Sequence, residues 1–291
     1  MTRFTLPLPE NYQTAEIMSF HGRDREGFAE TIAPDRIRKG LVVHGIPVVL
    51  TIRLKGNQAL CQIDTDGKTT AAAKTLLTQT ARNLLALNID PAPFAKATRR
   101  DPLFGPLVRK NPHLRIPQTS TPFEALTWAI IGQQIHLSFA VSLRRTFIRI
   151  AGQQHSSGLW CYPDPAAAAR IEPEQLTPLQ FSRSKAEALV RVARLMDSGA
   201  LPLDDWKNKP QPEIEAALLA IKGIGPWTVN YALMRGFGHG DCSLHGDAAI
   251  RNAVHRLTAS ETKPTPAAIQ SFLENYQPHR SMAAAHLWAS L

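Results

Sequence analysis

Four kinds of binding or reactive group crowd into one stretch, Ile221 to Asp247, which reads I-K-G-I-G-P-W-T-V-N-Y-A-L-M-R-G-F-G-H-G-D-C-S-L-H-G-D. Gly223 and Gly225 make a Gly-x-Gly turn, and Pro226 follows at a first helical position, where its missing N–H costs nothing. Glycine lets a backbone approach a ligand closely, and a helix N-terminus offers free N–H groups and a positive dipole end. Together these suit a phosphate, although a plain link between two packed helices can carry the same letters. Trp227 and Tyr231, four apart, share one helical face. Electron-rich rings bind flat cations, and they also fill cores. Asp247 is an isolated carboxylate that opens Asp-Ala-Ala-Ile, a good helix N-cap. A carboxylate held rigidly can also stabilise a positive charge.

The elements that must position these groups read as helices. Glu213 to Ile221 is apolar with helical spacing, and a second amphipathic segment runs from Trp227 to Arg235. The local pattern is helix, tight hairpin, helix, and then a loop carrying Gly236, Gly238 and Gly240. Upstream, Thr121-Pro122-Phe123-Glu124 has the form of a capping box with Pro at the first helical position. The apolar helix it opens is interrupted by Gly132-Gln133-Gln134-Ile135. Buried amides need partners, so Gln133 and Gln134 are expected at a junction or a ligand. Ser182-Arg183-Ser184-Lys185 opens a helix that runs to Gly199. Its basic first turn opposes the helix dipole, which hints at a nearby phosphate. Further helices are expected over Ala166–Ala169, Ala248–Leu257, from Thr265-Pro266 to Asn275, and through His286, Leu287 and Trp288, roughly nine in all by periodicity.

Residues 1–108 read differently. Gly40 to His44, Val48 to Leu54 and Ala59 to Ile63 are short and β-branched, with turn signals at Gly45-Ile46-Pro47, Lys55-Gly56-Asn57 and Asp64-Thr65-Asp66-Gly67. Thr69 to Leu87 is Ala/Leu-rich with helical spacing. The fold class is therefore α+β, an N-terminal antiparallel sheet with one or two helices followed by an all-α domain over residues 109–291. The boundary is placed between Leu107 and Pro112. The basic run Arg99, Arg100, Arg109, Lys110 and Arg115 beside it either solvates a linker or meets phosphate.

A net charge of +9, from 33 Lys and Arg against 24 Asp and Glu, points to a polyanionic partner, nucleic acid or an acidic membrane surface. No apolar run reaches membrane-spanning length, and Met1 to Glu10 lacks the apolar core of a signal peptide. Cys61, Cys161 and Cys242 are scattered, which suits reduced thiols in the cytoplasm. Three cysteines cannot make a four-cysteine iron–sulfur cluster. The ten His show no metal-site spacing, so no metal is expected in the chemistry.

Gly223-Ile224-Gly225-Pro226-Trp227, Asn230-Tyr231 and His245-Gly246-Asp247 resemble the signature of the helix-hairpin-helix DNA glycosylases, and most closely the 3-methyladenine glycosylase II branch. The match is good across Pro122 to Ile135 as well. The resemblance implies an N-terminal domain like one half of the TATA-binding protein. It also implies a partner, duplex DNA with damaged bases, and hydrolysis of the glycosidic bond to a flipped-out alkylated purine. Asp247 would then stabilise the oxocarbenium-like sugar. Trp227, Tyr231 and Trp288 would line the base pocket, with Phe20 reaching over from the N-terminal domain unless it is an ordinary core residue. Gly223 and Gly225 would anchor phosphate. Gln133, Gln134 and Ile135 would enter the minor groove, with Gln134 or Ile135 as the wedge, because some relatives have Leu where Gln134 stands. Family hairpins can hold a monovalent cation through their carbonyls, and no other cofactor is implied.

Relatives that also cut the DNA backbone carry a lysine where this chain has Trp227, and Lys222 lies off that position. The resemblance thus implies a monofunctional glycosylase rather than a glycosylase/lyase for oxidised bases; one basic monomer suffices for it, and the scattered thiols point to the cytoplasm. The alternative from another class is a non-enzymatic helix-hairpin-helix lesion-binding protein. Such a module would need neither Asp247 nor the three aromatics.

Overall fold

A computed structural model of the chain describes residues 2–291. The N-terminal part runs β1 (Thr2–Pro7), α1 (Ala15–His21), β2 (Glu30–Ala33), β3 (Arg36–Val43), β4 (Ile46–Lys55), β5 (Gln58–Thr65) and α2 (Ala71–Leu84). The five strands form one antiparallel sheet in the order β1-β5-β4-β3-β2. Alternation puts Ile37, Leu41, Leu50, Ile52, Cys61 and Ile63 on one face, where they pack against Ile17 of α1 and Leu77, Ala81 and Leu84 of α2.

Two details differ from the sequence reading. The β3–β4 turn falls on His44 and Gly45, with φ of 50° and 78°, the paired positive dihedrals of a two-residue hairpin. Ile46 and Pro47 are already in β4. Strand β3 starts at Arg36, ahead of the apolar run at Gly40, because Arg36-Ile37-Arg38 already alternates outward and inward.

The helical part comprises α3 (Ala92–Ala97), α4 (Phe104–Lys110), α5 (Pro122–Gly132), α6 (Leu137–Ala151), a ribbon of β6 (Gln153–Gln154) and β7 (Trp160–Cys161), α7 (Pro165–Ala169), α8 (Pro173–Leu176), α9 (Arg183–Asp197), α10 (Gln211–Leu219), α11 (Pro226–Ala232), α12 (Ala248–Thr258), α13 (Pro266–Glu274) and α14 (Arg280–Ala289). Every residue from Phe123 to Ile131 is buried. A helix that is apolar all round must be enclosed, and α5 is packed by α6, α9 and α11. Phe94 of α3 and Phe104 of α4 join this helical core against Tyr276. Among the described residues no helix is long and apolar enough to cross a membrane.

The apolar segment expected to run on past Gly132 is broken into α5 and α6. Gln134 takes a φ of 56° at the break, which ends the helical path. The capping box is half formed. Thr121 Oγ1 accepts from the Glu124 N–H at 3.1 Å, but Glu124 Oε2 accepts from the Ser120 N–H rather than from that of Thr121.

The other Glu124 oxygen is committed elsewhere. Oε1 accepts from Lys39 Nζ at 2.6 Å and Arg144 Nη2 at 2.7 Å, and both cations also bind Glu30. All four side chains are buried. Burial alone would push both carboxyls up. The Arg144 and Lys39 charges outweigh it and hold Glu30 and Glu124 well below the usual carboxylate range. Glu30 and Lys39 belong to the sheet, Glu124 and Arg144 to α5 and α6, so the cluster joins the two parts.

Removing one charge from such a cluster leaves an uncompensated buried carboxylate. Lys39→Met is expected to cost about 3–5 kcal/mol at pH 7. The sign of the pH dependence follows. Carboxyls held low keep their contribution above their unfolded values, so this cluster leaves the native protein's stability flat between pH 5 and 7. With Lys39 gone, one carboxyl is raised and takes up a proton as pH falls, so the deficit narrows at pH 5. Urea unfolding at both pH values checks this; a deficit that widens at pH 5 contradicts it.

Candidate active site

The hairpin is built as the glycines require. Gly223 has a φ of +95°, and a Cβ there would lie 3.1 Å from the Cβ of Ala188, so both dihedral and space call for glycine. Gly225 caps α11 in extended backbone, and a Cβ there would meet nothing within 4 Å. No partner is present among the described residues for the Gly223 and Gly225 N–H groups. The carbonyls of Ile221, Lys222 and Gly223 accept from the Ile224 N–H, Arg191 Nη1 and Gln133 Nε2 respectively. A cation bound to any of these carbonyls would share it with a hydrogen bond. Among the described residues no group of three or more His, Cys, Asp or Glu could hold a metal ion.

From the hairpin, α11 leads through a π-helical turn over Leu233–Phe237 into the Gly-rich loop. Asn230 straps that loop back. Its Nδ2 donates to Pro226 O at 3.0 Å, and its Oδ1 accepts from the Ser243 N–H at 2.8 Å. Asp241 pins the loop to α14 through Arg280, Nε to Oδ1 at 2.7 Å and Nη2 to Oδ2 at 2.9 Å.

The loop delivers Asp247 to the start of α12. Oδ1 accepts from the N–H groups of Ala249 and Ile250 at 2.9 and 3.0 Å, so Asp247 is an N-cap. It is more than that. Trp227 Nε1 donates to Oδ2 at 3.0 Å, and Trp288 Nε1 donates to Oδ1 at 3.2 Å. Four N–H donors thus hold one carboxylate, and Oδ2, with a single donor, keeps acceptor capacity. The Trp227 and Tyr231 rings lie 5.4 Å apart and tilted by 35°.

These groups line one cleft of about 1070 Å³. Its walls bring together Asp247, Trp227, Tyr231, Trp288, Phe20, Gly225, Gln133, Gln134 and Ile135. Gly223 is set back, behind Gln133. Gln133 lines the cleft while its Nε2 donates to Gly223 O at 3.1 Å and Thr228 Oγ1 at 2.9 Å, tying the α5–α6 corner to the hairpin. Gln134 is exposed on its left-handed backbone, whereas Ile135 packs against the helical core.

The basic first turn of α9 also has an internal explanation. Lys185 Nζ donates to Ile131 O at 2.9 Å, satisfying a carbonyl near the end of α5, and Arg183 pairs with Glu187. The hint of phosphate there is therefore withdrawn. Of the basic run near residue 109, Arg115 reaches the cleft, with its guanidinium carbon 5.7 Å from the Tyr12 ring centroid.

Sequence reasoning missed Arg23, Trp128 and Arg235, which also line the cleft. Arg235 sits on the π-helical turn and is buried; its Nη1 donates to Pro117 O at 2.5 Å, and burial pulls its pKa down to about 10. Local sequence offered little signal. Arg23 stands in a charged Gly-Arg-Asp-Arg run, and Trp128 looks like any core residue of an apolar helix.

Residues 127–278, which include the hairpin and Asp247, match the family model described as HhH-GPD superfamily base excision DNA repair protein. The DNA-3-methyladenine glycosylase of Bacillus subtilis (strain 168) is 32% identical over 208 residues, 70% of this chain and 69% of that protein. DNA-3-methyladenine glycosylase 2 of Escherichia coli (strain K12) is 30% identical over 189 residues, 63% of each chain. The B. subtilis protein YfjP is 34% identical over 169 residues, so the match spans 58% of its length. Among solved structures, a 3-methyladenine DNA-glycosylase from Archaeoglobus fulgidus superposes with a TM-score of 0.82 at 18% identity, covering 98% of this chain and 97% of that one, a likeness of fold. With the family model covering more than half of its length, the chain belongs to the HhH-GPD superfamily of base excision DNA repair proteins.

Proposed function

We propose that the chain is a monofunctional DNA glycosylase that removes alkylated purines, such as 3-methyladenine and 7-methylguanine, from duplex DNA. The observation that carries this reading is the Asp247 carboxylate, held by the Trp227 and Trp288 indoles and the start of α12 on the wall of a cleft large enough for a nucleoside. The names of the relatives support the substrate class, and a solved Schizosaccharomyces pombe 3-methyladenine DNA glycosylase complexed with abasic DNA, with a TM-score of 0.59, supports the partner.

The duplex is anchored by the open N–H groups of Gly223 and Gly225. The target nucleotide swings out into the cleft, and Gln134, the exposed side chain at the α5–α6 corner, fills its place. The C1′–N bond breaks with both electrons leaving on the base, and Asp247 stabilises the cationic sugar. Water adds at C1′ and gives up its proton. No lysine lines the cleft among the described residues, which supports water rather than an amine as the nucleophile. The chemistry requires no metal; a monovalent cation at the hairpin would serve DNA binding alone. The protein acts as a monomer in the cytoplasm, where its buried free thiols stay reduced.

Two outcomes are expected. Asp247→Asn keeps an N-capping oxygen, so it should bind lesion-containing duplex normally while base release falls by about 10²–10³-fold, the scale of losing a preorganised charge-stabilising group. Single-turnover release at the native rate would remove Asp247 from catalysis, and a native protein that binds without releasing base would leave a lesion-binding module. Second, methylated duplex treated with native protein should show strand breaks only after alkali. Breaks without alkali would mean that a lysine elsewhere forms a Schiff base.

A further inference from the structure

The five-stranded sheet has a second face, turned away from the cleft. Its inner face packs on α1 through Ile17, and α1 in turn carries Glu16, Ser19 and Phe20 to the cleft wall, so α1 lies between sheet and cleft. Strand register sets two rows of side chains on the outer face. One row crosses β1-β5-β4-β3-β2 as Thr5, Leu60, Arg53, Arg36 and Ala33, and the next as Arg3, Gln62, Thr51, Arg38 and Thr31. Lys55 lies on the same face, two residues beyond Arg53. Arg3, Arg53, Lys55 and Leu60 are exposed, and Arg36 and Arg38 are half-buried.

The charges on this face are not neutralised by the chain. No ion pair among the described residues includes Arg3, Arg36, Arg38, Arg53 or Lys55. Arg38 Nη2 donates to Ser157 Oγ at 3.3 Å, and the other four cationic groups take part in no hydrogen bond among the described residues. Carboxylates border the face without reaching it. Asp35 is in the β2–β3 turn, Asp64 stands in the next row of β5 opposite Val49, and Glu10 lies past the end of β1. Asp66 is taken by the Ser156 N–H at 2.8 Å and by His155 at 3.4 Å.

Two features of the arrangement point to an anionic occupant. Arg36 stands directly opposite Arg53, and like charges so placed destabilise a strand pair. Arg38 follows Arg36 on the same face about 7 Å along the strand, adding to the repulsion. A bound polyanion would relieve it. The guanidinium fork matches phosphate oxygens two at a time, and a flat face with its charges in rows suits an extended ligand better than a small one. Duplex DNA offers such rows of phosphates along both strands, and the chain belongs to a DNA repair family.

We propose that the outer face of the N-terminal sheet is a second duplex-binding surface, which holds an undamaged segment of DNA by its phosphates while the cleft engages another. It takes its occupant from the DNA partner of the glycosylase reading and needs none of that reading's chemistry. A protein that holds two segments at once can pass from one to the other without release into solution.

The test asks whether one molecule of the full chain holds two duplexes. The protein is bound to an immobilised short duplex carrying an abasic-site analogue, which occupies the cleft, and a labelled undamaged duplex is added. The native protein should capture the labelled duplex, with one protein for two duplexes by sedimentation. In Arg36→Gln/Arg38→Gln/Arg53→Gln capture should fall at least about tenfold, and its log–log salt slope by about three, one for each lost phosphate contact. Arg53→Gln alone, at an exposed site, should lower the slope by about one. Removing like charges should leave the thermal midpoint no lower than native, and base release from a short methylated duplex should keep its native rate. No capture by the native protein, equal capture by the triple variant, or capture of polyglutamate or phosphatidylglycerol vesicles in place of duplex would overturn the proposal. Duplex capture without any base release would overturn the glycosylase reading instead and leave this surface standing.

Discussion

Glu30 and Lys39 of the sheet can be buried only because Glu124 and Arg144 of the helices come to meet them. None of these charges would be tolerated alone in an apolar interior, and the sum of the four is zero. The cluster therefore fixes the two parts of the chain in one relative position. That position has consequences at the cleft. The sheet carries α1 on its apolar face through Ile17, and His21 Nε2 lies 2.9 Å from Leu84 O, so Phe20 and Arg23 are placed by the same body that supplies Lys39. Glu124 stands in the first turn of α5, whose far end is the corner holding Gln133 and Gln134. One ion cluster thereby registers two walls of the cleft.

Much of this was legible in the sequence. The hairpin, its flanking helices and the cap at Asp247 follow from periodicity, glycine placement and local capping chemistry, which are short-range facts. The α+β order was legible for the same reason. What escaped depends on partners far along the chain. Lys39 reads as a surface residue of a charged strand segment until Glu124, 85 residues away, is found beside it. Lys185 looks misplaced at a helix N-terminus, and only the distant Ile131 carbonyl makes sense of it. Glu124 reads as half of a capping box, a local solution that lost to two buried cations. Arg23 is indistinguishable from a solvated arginine in sequence, because nothing local says that Phe20 and Trp128 flank it.

Capping and catalysis at Asp247 are compatible in three dimensions. An N-cap aspartate is fixed by the N–H groups it accepts from, and here the two indoles complete the fixing. Rigid placement is what electrostatic stabilisation demands, since a dipole or charge that must reorganise during the reaction gives back much of its benefit. Trp227 and Trp288 accordingly serve two ends: ring surface for the cleft and N–H donors for the carboxylate. Replacing either by phenylalanine would preserve most of the apolar area and lose the aim of the acid.

The cleft holds charges of both signs. The Asp247 and Glu16 carboxylates line it together with Arg23 and Arg235, which both lie over Phe20, and Arg235 also lies over Trp288, whose indole donates to Asp247. Heterolysis of a glycosidic bond leaves the sugar positive and moves an electron pair onto the base. A negative group facing the sugar and positive groups facing the base lower the energy of that charge separation more than that of the neutral ground state, which is the condition for catalysis rather than mere binding. An aromatic box alone would hold a cationic base most tightly before it departs, because the charge that the rings favour is lost as the glycosidic bond breaks, so the Asp247 charge must supply what the transition state gains.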